Sequence, residues 1–430
     1  MIMAMIRPET EMKDSGVKYI GLIPRTWKIV QLKYCTDCLD GKRVPIDASL
    51  RKSGIYPYWG AGRIMDYVDD YIFDERLVLL GEDGAPFFDD FRPVSHLIDG
   101  KVWVNNHIHV LRTKDNVVDS YLVHALNSVD YHEYINGSIL NKLTQSNMNR
   151  IKIPLPSYIE QQAIADYLDE TCSKIDEIIA EAKASIDEYK ELKQAVIFDG
   201  ISLGTKSCCE YKKTTLEGIK KIPVAWEYRK LKFLIKYIES GVSVNAGNEP
   251  ATELEYGVLK TSCVSKMFFI PSENKSVNKD EYARVKCPVC GNTIIVSRMN
   301  TPDLVGACAY IEKNINNIFL PDRLWQVHFN DDVNVKYVYY CLISPYIRNY
   351  YSSLSTGTSS SMQNISQGQF ANAIIPYPSL EEQKEIVEFL DKRTAEIDSL
   401  IAEKESLIND LEAYKKSLIY EVVTGKRRVV

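Results

Sequence analysis

The sequence predicts an α+β protein built by tandem duplication: a globular domain and a long helix, then a second related domain and a second long helix. Three observations predict it. The stretch 156–199, PSYIEQQAIADYLDETCSKIDEIIAEAKASIDEYKELKQAVIFD, recurs at 378–421 as PSLEEQKEIVEFLDKRTAEIDSLIAEKESLINDLEAYKKSLIYE. The domain openings repeat as well, Ile23, Pro24, Trp27 and Leu32 matching Ile222, Pro223, Trp226 and Leu231 at a constant shift of 199. Between these landmarks run short β-branched and aromatic segments broken by Gly, Pro and Asn, the pattern of strands and turns.

Each long helix announces its own start. Pro154 and Pro156, like Pro376 and Pro378, cannot be preceded by helix. Ser157 with Glu160, and Ser379 with Glu382, have the spacing of a capping box, hydroxyl to the third amide and carboxylate back to the cap amide. Apolar or small residues then fall at Leu168, Cys172, Ile175, Ile179, Ala182, Ile186 and Tyr189, in steps of four and three that make a heptad seam. A shift of 222 carries Leu168, Ile175, Ile179, Ile186 and Tyr189 onto Leu390, Ile397, Ile401, Ile408 and Leu411. At ~1.5 Å per residue each helix is roughly 65 Å long. One reading packs each helix on its own domain; the duplicated caps and seam favour two helices that pair.

The first domain, residues 1–156, opens with IGLIPRTWKIVQLKYC, a turn followed by strand-like alternation. LVLLGEDGAPFF (77–88) reads as a buried strand running into a turn, and KVWVNNHIHVLR (101–112) as a strand with a polar interruption. A helix at SYLVHALNSVDYHEYI, a polar loop at NGSILNKLTQSNMNR and a last strand at IKIPLP complete it. After the central helix, 157–202, the second domain spans 203–378, and 203–215 reads as a surface connector. NTIIVSRMNTPDLVGA (292–307) and NIFLPDRLWQVHF (317–329) take the equivalent strand places. A helix at VKYVYYCLISPYIRNYY, a polar loop at STGTSSSMQNISQGQF and the strand AIIPYP follow. Residues 379–430 form the second helix and a tail, in which Lys426, Arg427 and Arg428 read as frayed.

Composition narrows the function classes. At 430 residues, 45% hydrophobic and 26% charged, the chain has enough material for two or three cores. No run approaches the ~18 apolar residues of a membrane span, and MIMAMIRPETEMKDSG lacks the apolar core of a signal peptide. Ten scattered cysteines suit a reducing cytosol, so a cytoplasmic location is expected. The net charge of -6 opposes nucleic acid only until it is divided. Residues 157–199 hold 11 acids and 4 bases, and 379–421 hold 12 and 6, leaving the rest of the chain at +7. The acidity belongs to coiled-coil flanks; the globular parts are mildly basic, as DNA binding permits.

Catalytic signatures are missing. GISLGTKSC fails the glycine spacing of a phosphate loop, SPYIRNYY lacks the proline pair of an adenine methyltransferase, and six histidines form no suggestive triad order. Cys35 and Cys38, and Cys287 and Cys290 in KCPVCGN, each supply half a zinc site. Cys263 or Cys308 could complete the second, but the pairs are not at equivalent places, and free thiols are the competing reading.

Taken together, DSGVKYIGLIPRTW, LLGEDG, WVNNHIHVL, IPLPSYIEQQAIADYLD and SKIDEIIAE resemble the DNA-specificity subunit of type I restriction–modification systems. IIVSRMNTPDLVGA, LPDRLWQV, IPYPSLEEQKEIVEFLD and SLIYEVVTGK continue the resemblance in the second half, in the family's order. It implies two target-recognition domains separated by two long helices that form an antiparallel coiled coil with pseudo-two-fold symmetry. It implies double-stranded DNA with a split target, two methyltransferase subunits and, for cleavage, two restriction/translocase subunits as partners. The chain itself would hold no cofactor; S-adenosylmethionine, ATP and Mg would belong to the partners. It would be non-catalytic. Antiparallel helices place equivalent surfaces on two half-sites about one turn, ~34 Å, apart, so helix length acts as a ruler for the spacer.

Base reading needs Arg for guanine and Asn or Gln for adenine. The candidates are therefore polar residues of loops: Arg63, Arg92, Lys142, Thr144, Gln145 and Asn147 in the first domain. In the second they are Arg298, Asn300, Arg323, Ser359, Ser360, Gln363 and Asn364. Ser, Thr and Lys suit phosphate contacts, which position without specifying. Asn105 and Asn106 can be a turn, Arg323 can stack on Trp325, and acidic GEDG suits a structural turn. A DNA reader working apart from restriction, and a coiled-coil scaffold for protein ligands, are the other readings the residues leave open.

Overall fold

A computed structural model describes residues 5–89, 91–135, 141–205, 210–216, 218–354, 356–359 and 362–429, with 356–359 and 362 described by backbone alone. The chain divides into two compact units, 1–185 with 404–430, and 186–403.

In the first unit the elements are β1 (Met5–Ile6), β2 (Met12–Asp14), β3 (Leu22–Pro24), β4 (Lys28–Gln31), β5 (Thr36–Cys38), β6 (Ser53–Trp59), β7 (Ile64–Val68) and β8 (Phe73–Asp74). Then come β9 (Leu77–Gly81), β10 (Ser95–Ile98), β11 (Lys101–Val104), β12 (Ile108–Thr113), α1 (Asp119–Asn127), α2 (Gln145–Arg150), β13 (Lys152–Leu155) and the start of α3 (Tyr158–Leu203). Two four-stranded sheets, β10-β9-β12-β5 and β7-β6-β11-β8, form the body. Phe73, Leu77, Leu79, Val102, Val104, Ile108 and Val110 make one core cluster. All five residues of β9 are buried, which is why LVLLG reads as a continuous apolar run rather than an alternating one.

The second unit repeats the plan. Its strands are β14 (Tyr211–Lys213), β15 (Lys221–Pro223), β16 (Glu227–Lys230), β17 (Ile235–Ser240), β18 (Gly257–Leu259), β19 (Asn274–Ser276), β20 (Pro288–Val289), β21 (Thr293–Ser297), β22 (Met299–Asn300), β23 (Cys308–Ile311), β24 (Ile315–Phe319) and β25 (Leu324–Phe329). They precede α4 (Val335–Ile343), α5 (Pro345–Leu354), β26 (Thr356–Ser359), β27 (Met362–Asn364), α6 (Gln367–Ala371), β28 (Ile374–Tyr377) and α7 (Leu380–Val423); β29 (Arg427–Arg428) ends the chain in the first unit. The sheets are β23-β21-β25-β17 and β19-β18-β24-β20. In each unit a parallel pair, β6 with β11 or β18 with β24, sits in an otherwise antiparallel sheet. Shared topology down to that pair establishes the duplication that the openings suggested.

Several details depart from the sequence reading, each for a physical reason. The run 101–112 is two strands in two sheets, because Asn105 turns the chain, its side chain accepting the amide of His107 at 2.8 Å. Residues 317–329 divide likewise at Pro321. The helix expected over 335–351 breaks between α4 and α5, since proline at 345 has no N–H to continue the ladder. Both polar loops contain a short capped helix, α2 and α6, and the second also contains strands. Part of the connector 203–215 is β14. Nor is the basic tail frayed: Met5 pairs with Arg428 and Ile6 with Arg427. Lys426 Nζ donates to the Ile20 carbonyl at 3.0 Å.

The long helices are continuous and belong to both units. Within the first unit Lys415 Nζ of α7 lies 2.7 Å from Asp176 of α3, and Lys183 pairs with Glu412 at 4.0 Å. Within the second, Lys193 meets Asp398 at 2.7 Å and Gly200 lies against Leu390. Numbers rise on one helix as they fall on the other, so the pairing is antiparallel. Leu168, Cys172, Ile175, Ile179, Ala182, Ile186, Leu390, Ile397 and Ile408 are buried; Tyr189, Ile401 and Leu411 are half-buried. The first capping box forms in full, the Glu160 amide donating to Ser157 Oγ and the Ser157 amide to Glu160. At the second, Ser379 Oγ accepts the Glu382 amide and donates to the Glu382 carboxylate, and each glutamate also takes an indole N–H, of Trp27 at 3.3 Å or Trp226 at 3.4 Å. Repeat landmarks 130 to 160 residues apart in sequence thus lock each domain to its helix.

Candidate nucleic-acid interface

Each unit builds the same edge. In the first, β9 ends at Gly81, where a Cβ would lie 2.2 Å from that of Ala85, and the chain turns through Gly84 at φ +66. Asp83 bridges to Lys142, and the Leu143 amide donates to the Glu82 carbonyl at 2.6 Å. Thr144 then caps α2, accepting the Asn147 amide. In the second unit β21 runs into Arg298, Met299 and Asn300. Met299 pairs with Asn364 and Asn300 with Gln363. The Ile365 amide donates to the Arg298 carbonyl at 3.1 Å. Ser366 caps α6 with a full capping box. Thr144 and Ser366 are equivalent at the helix shift of 222, as are buried Met148 and Phe370.

The candidates fall on these edges unequally. Lys142 is exposed and pairs with Glu82 and Asp83 at 3.2 and 3.6 Å. Gln145 is exposed, its amide 3.2 Å from Cys38 Sγ. Thr144 is the helix cap, and Asn147 donates to the Tyr134 carbonyl at 2.8 Å, so both have structural duties. Arg63 is exposed in the β6–β7 turn, whose Gly62 lies close to Pro86 beyond the 81–84 turn. Arg92 is exposed and held by Asp89 at 2.6 Å. In the second unit Arg298, Asn300, Gln363 and Asn364 converge through strand pairing. Arg323 joins them, its carbonyl accepting the Arg298 amide at 3.2 Å. Arg298 Nε is buried with no partner among the described residues. Ser359 is described by backbone only, and Ser360 lies outside the described residues.

Behind the first edge stands a charged network that residue patterns alone did not single out. His109, buried, contacts Asp40 and the Leu143 carbonyl; Arg43 reaches Glu82 at 2.6 Å and Asp40 at 3.4 Å. Burial works to raise the Asp40 carboxyl, yet the hydrogen bond and charge of His109, the Val110 amide and Arg43 outweigh it and hold it below its ordinary value. Among the described residues, Asp40, Glu82 and His109 are the one trio whose ligand atoms converge, within 4.8 Å. Arg43 already supplies the positive charge there. Neither cysteine pair joins such a trio. Burial pushes the Cys35 thiol up to about 11 and the Cys287 thiol higher still.

Two domains of one topology, each presenting a polar strand edge before a capped helix, and a shared antiparallel helix pair define a duplicated recognition protein. Comparison with known proteins gives the class its family. The model of the type I restriction modification DNA specificity domain matches residues 24–188 and again 223–410, and the chain belongs to that family. Over 440 residues it is 25% identical to the type I restriction enzyme MjaVIII specificity subunit of Methanocaldococcus jannaschii, covering 100% of this chain and 98% of that one. A putative type I restriction enzyme specificity subunit of Haemophilus influenzae, S.HindORF215P, is 34% identical over 143 residues, 33% of this chain and 36% of its own length. A solved chain from work on assembly and conformational transition of the type I R-M system shares the fold, with TM-score 0.65 at 15% identity, over 94% of this chain and 99% of its own. The protein is accordingly a type I specificity subunit, the DNA-recognition component. No helix among the described residues is long and apolar enough to cross a membrane.

Proposed function

We propose that the protein reads a split duplex site, one half per domain, and docks two methyltransferase subunits on its helices without performing chemistry itself. The observation that carries this reading is the edge built twice on one topology with different residues. Lys142 and Gln145 stand on the first, and Arg298, Asn300, Arg323, Gln363 and Asn364 on the second. Equivalent frames with unlike side chains suit two half-sites of unlike sequence. Arg and Asn or Gln can address guanine and adenine edges, and Lys142 and Thr144 suit phosphate. The mildly basic domains supply the salt-dependent part of affinity. S-adenosylmethionine, and ATP with Mg for two restriction/translocase subunits, would be held by partners in the same cytoplasmic complex. Adenine methylation there would require the base to leave the stack.

The test is to express the chain with its modification subunit and map methylated bases across the host DNA. One split motif, absent when the chain is omitted, is the expected result. Methylation without a split motif, or failure of the methyltransferase to co-purify, counts against the reading.

A further inference from the structure

We infer that His109, as a doubly protonated imidazolium, is the positioning residue of the first domain's reading edge, an inference that rests on the reading just given. The imidazole side chain is 1% exposed. Its Nδ1 lies 2.6 Å from Asp40 Oδ2 and its Nε2 lies 2.8 Å from the carbonyl oxygen of Leu143. A carboxylate and a carbonyl both only accept. A neutral imidazole carries one N–H and would turn a lone pair toward one of them, so the two contacts together require both protons.

The surroundings favour that charge. Asp40 also accepts the Val110 amide at 2.9 Å and lies 3.4 Å from Arg43. Glu82 is paired with Arg43 and Lys142, and stands 3.9 Å from His109 Nδ1. Asp83 meets Lys142 at 3.6 Å and half-exposed His107 at 2.5 Å. Three carboxylates thus face Arg43 and Lys142, and the His109 imidazolium is the third positive charge in their midst. Its Nε2–H holds Leu143 from one side, while the Leu143 amide holds the Glu82 carbonyl from the other. Leu143 lies between Lys142 and Thr144, so the residue that carries the candidates is pinned at both its backbone groups.

The second domain solves the same problem without a charge. Ile108 pairs with Gly81 on β9 as Leu324 pairs with Ser297 on β21. The next residue is therefore His109 in one domain and Trp325 in the other. Trp325 packs edge-on against Phe370 of α6, ring centres 6.0 Å apart. One reading edge is pinned by an ion, its counterpart by apolar contact. Damage at His109 should consequently be felt at one half of the target only.

The experiment measures binding of the full chain to three duplexes: the mapped site and versions with either half scrambled. Wild type, His109→Gln and Asp40→Asn are compared. Glutamine can satisfy one of the two acceptors, so His109→Gln should lose about tenfold in discrimination at one half and keep the other. Unchanged discrimination at both halves overturns the inference, as does equal loss at both, which marks a merely structural residue. A wild-type chain that discriminates at neither half overturns the sequence-reader assignment instead. Nitrogen NMR of the wild-type ring supplies a measurement independent of how the variants fold. A proton on each ring nitrogen is the result expected from the two acceptors, and a ring with a single N–H refutes the proposal.

Discussion

A glutamine shows how much depends on a single buried residue. Gln161, 1% exposed, accepts the Val118 amide at 2.9 Å and donates to the carbonyls of Asn116 and Pro156, both at 3.1 Å. Its repeat partner Gln383 donates to Pro378 in the same way, but its Oε1 has no partner among the described residues. Leucine fits either space and bonds nothing. Gln161→Leu strands three backbone groups and should cost about 3 kcal/mol, whereas Gln383→Leu strands one and should cost about 1 kcal/mol; urea unfolding of the two variants compares them directly. Asp40 gives a second residue-scale expectation. Its folded carboxyl lies below the ordinary 3.8, so it contributes stability above the usual carboxylate range, lost as pH falls through the folded value. Stability should therefore drop below about pH 4, and Asp40→Asn should flatten that acid limb in denaturation midpoints measured between pH 5 and 3. Neither glutamine was legible as structural, since both sit in a polar run just after a helix cap. Asp40 and His109 are 69 residues apart, and only the β5–β12 pairing brings them together.

At the scale of elements, the long helices were the most legible part of the chain. Their caps, seam and start prolines are local signals, and each formed where those signals lay. The seam also grades its own residues. Leu390, fully buried against Gly200, lies in a core cluster of the second unit. Ile401, at an equally apolar heptad position, is half-buried. Leu390→Ala should cost about 3–5 kcal/mol and Ile401→Ala less than half of that, read as shifts in urea midpoint; equal costs would mean the seam, not the domain core, sets the burial. The domain middles were less legible for the opposite reason. Runs such as 101–112 and 317–329 are apolar at both ends, and whether they bend into two strands is decided by which sheet each end joins. Asn105 and Pro321 mark the bends, but Asn and Pro also occur where no strand breaks. The candidate edges were half legible. Polar loops could be named, while the bridging of 298–300 with 363–364 depends on strand pairing across some 60 residues.

For the whole molecule, the decisive feature is that neither long helix belongs to one unit. α3 contributes its first part to the first unit and Ile186 onward to the second; α7 contributes its first part to the second and Lys404 onward to the first. A seam of heptads shared in this way can be lengthened without disturbing either end, because seven residues are very nearly two turns. Seven residues added after Ser185, with seven matching residues after Glu403, extend both helices by about 10.5 Å. Duplex DNA rises ~3.4 Å per base pair, so the gap between the half-sites should grow by about three base pairs while both half-site sequences stay the same. An insertion in α3 alone forces one helix out of step with its partner and should cost stability without giving a clean new spacing. Methylated-base mapping of the paired insertion decides the matter. A motif with unchanged halves and a longer spacer identifies the helices as the ruler, whereas the original spacer would mean that the domains find their half-sites by other means.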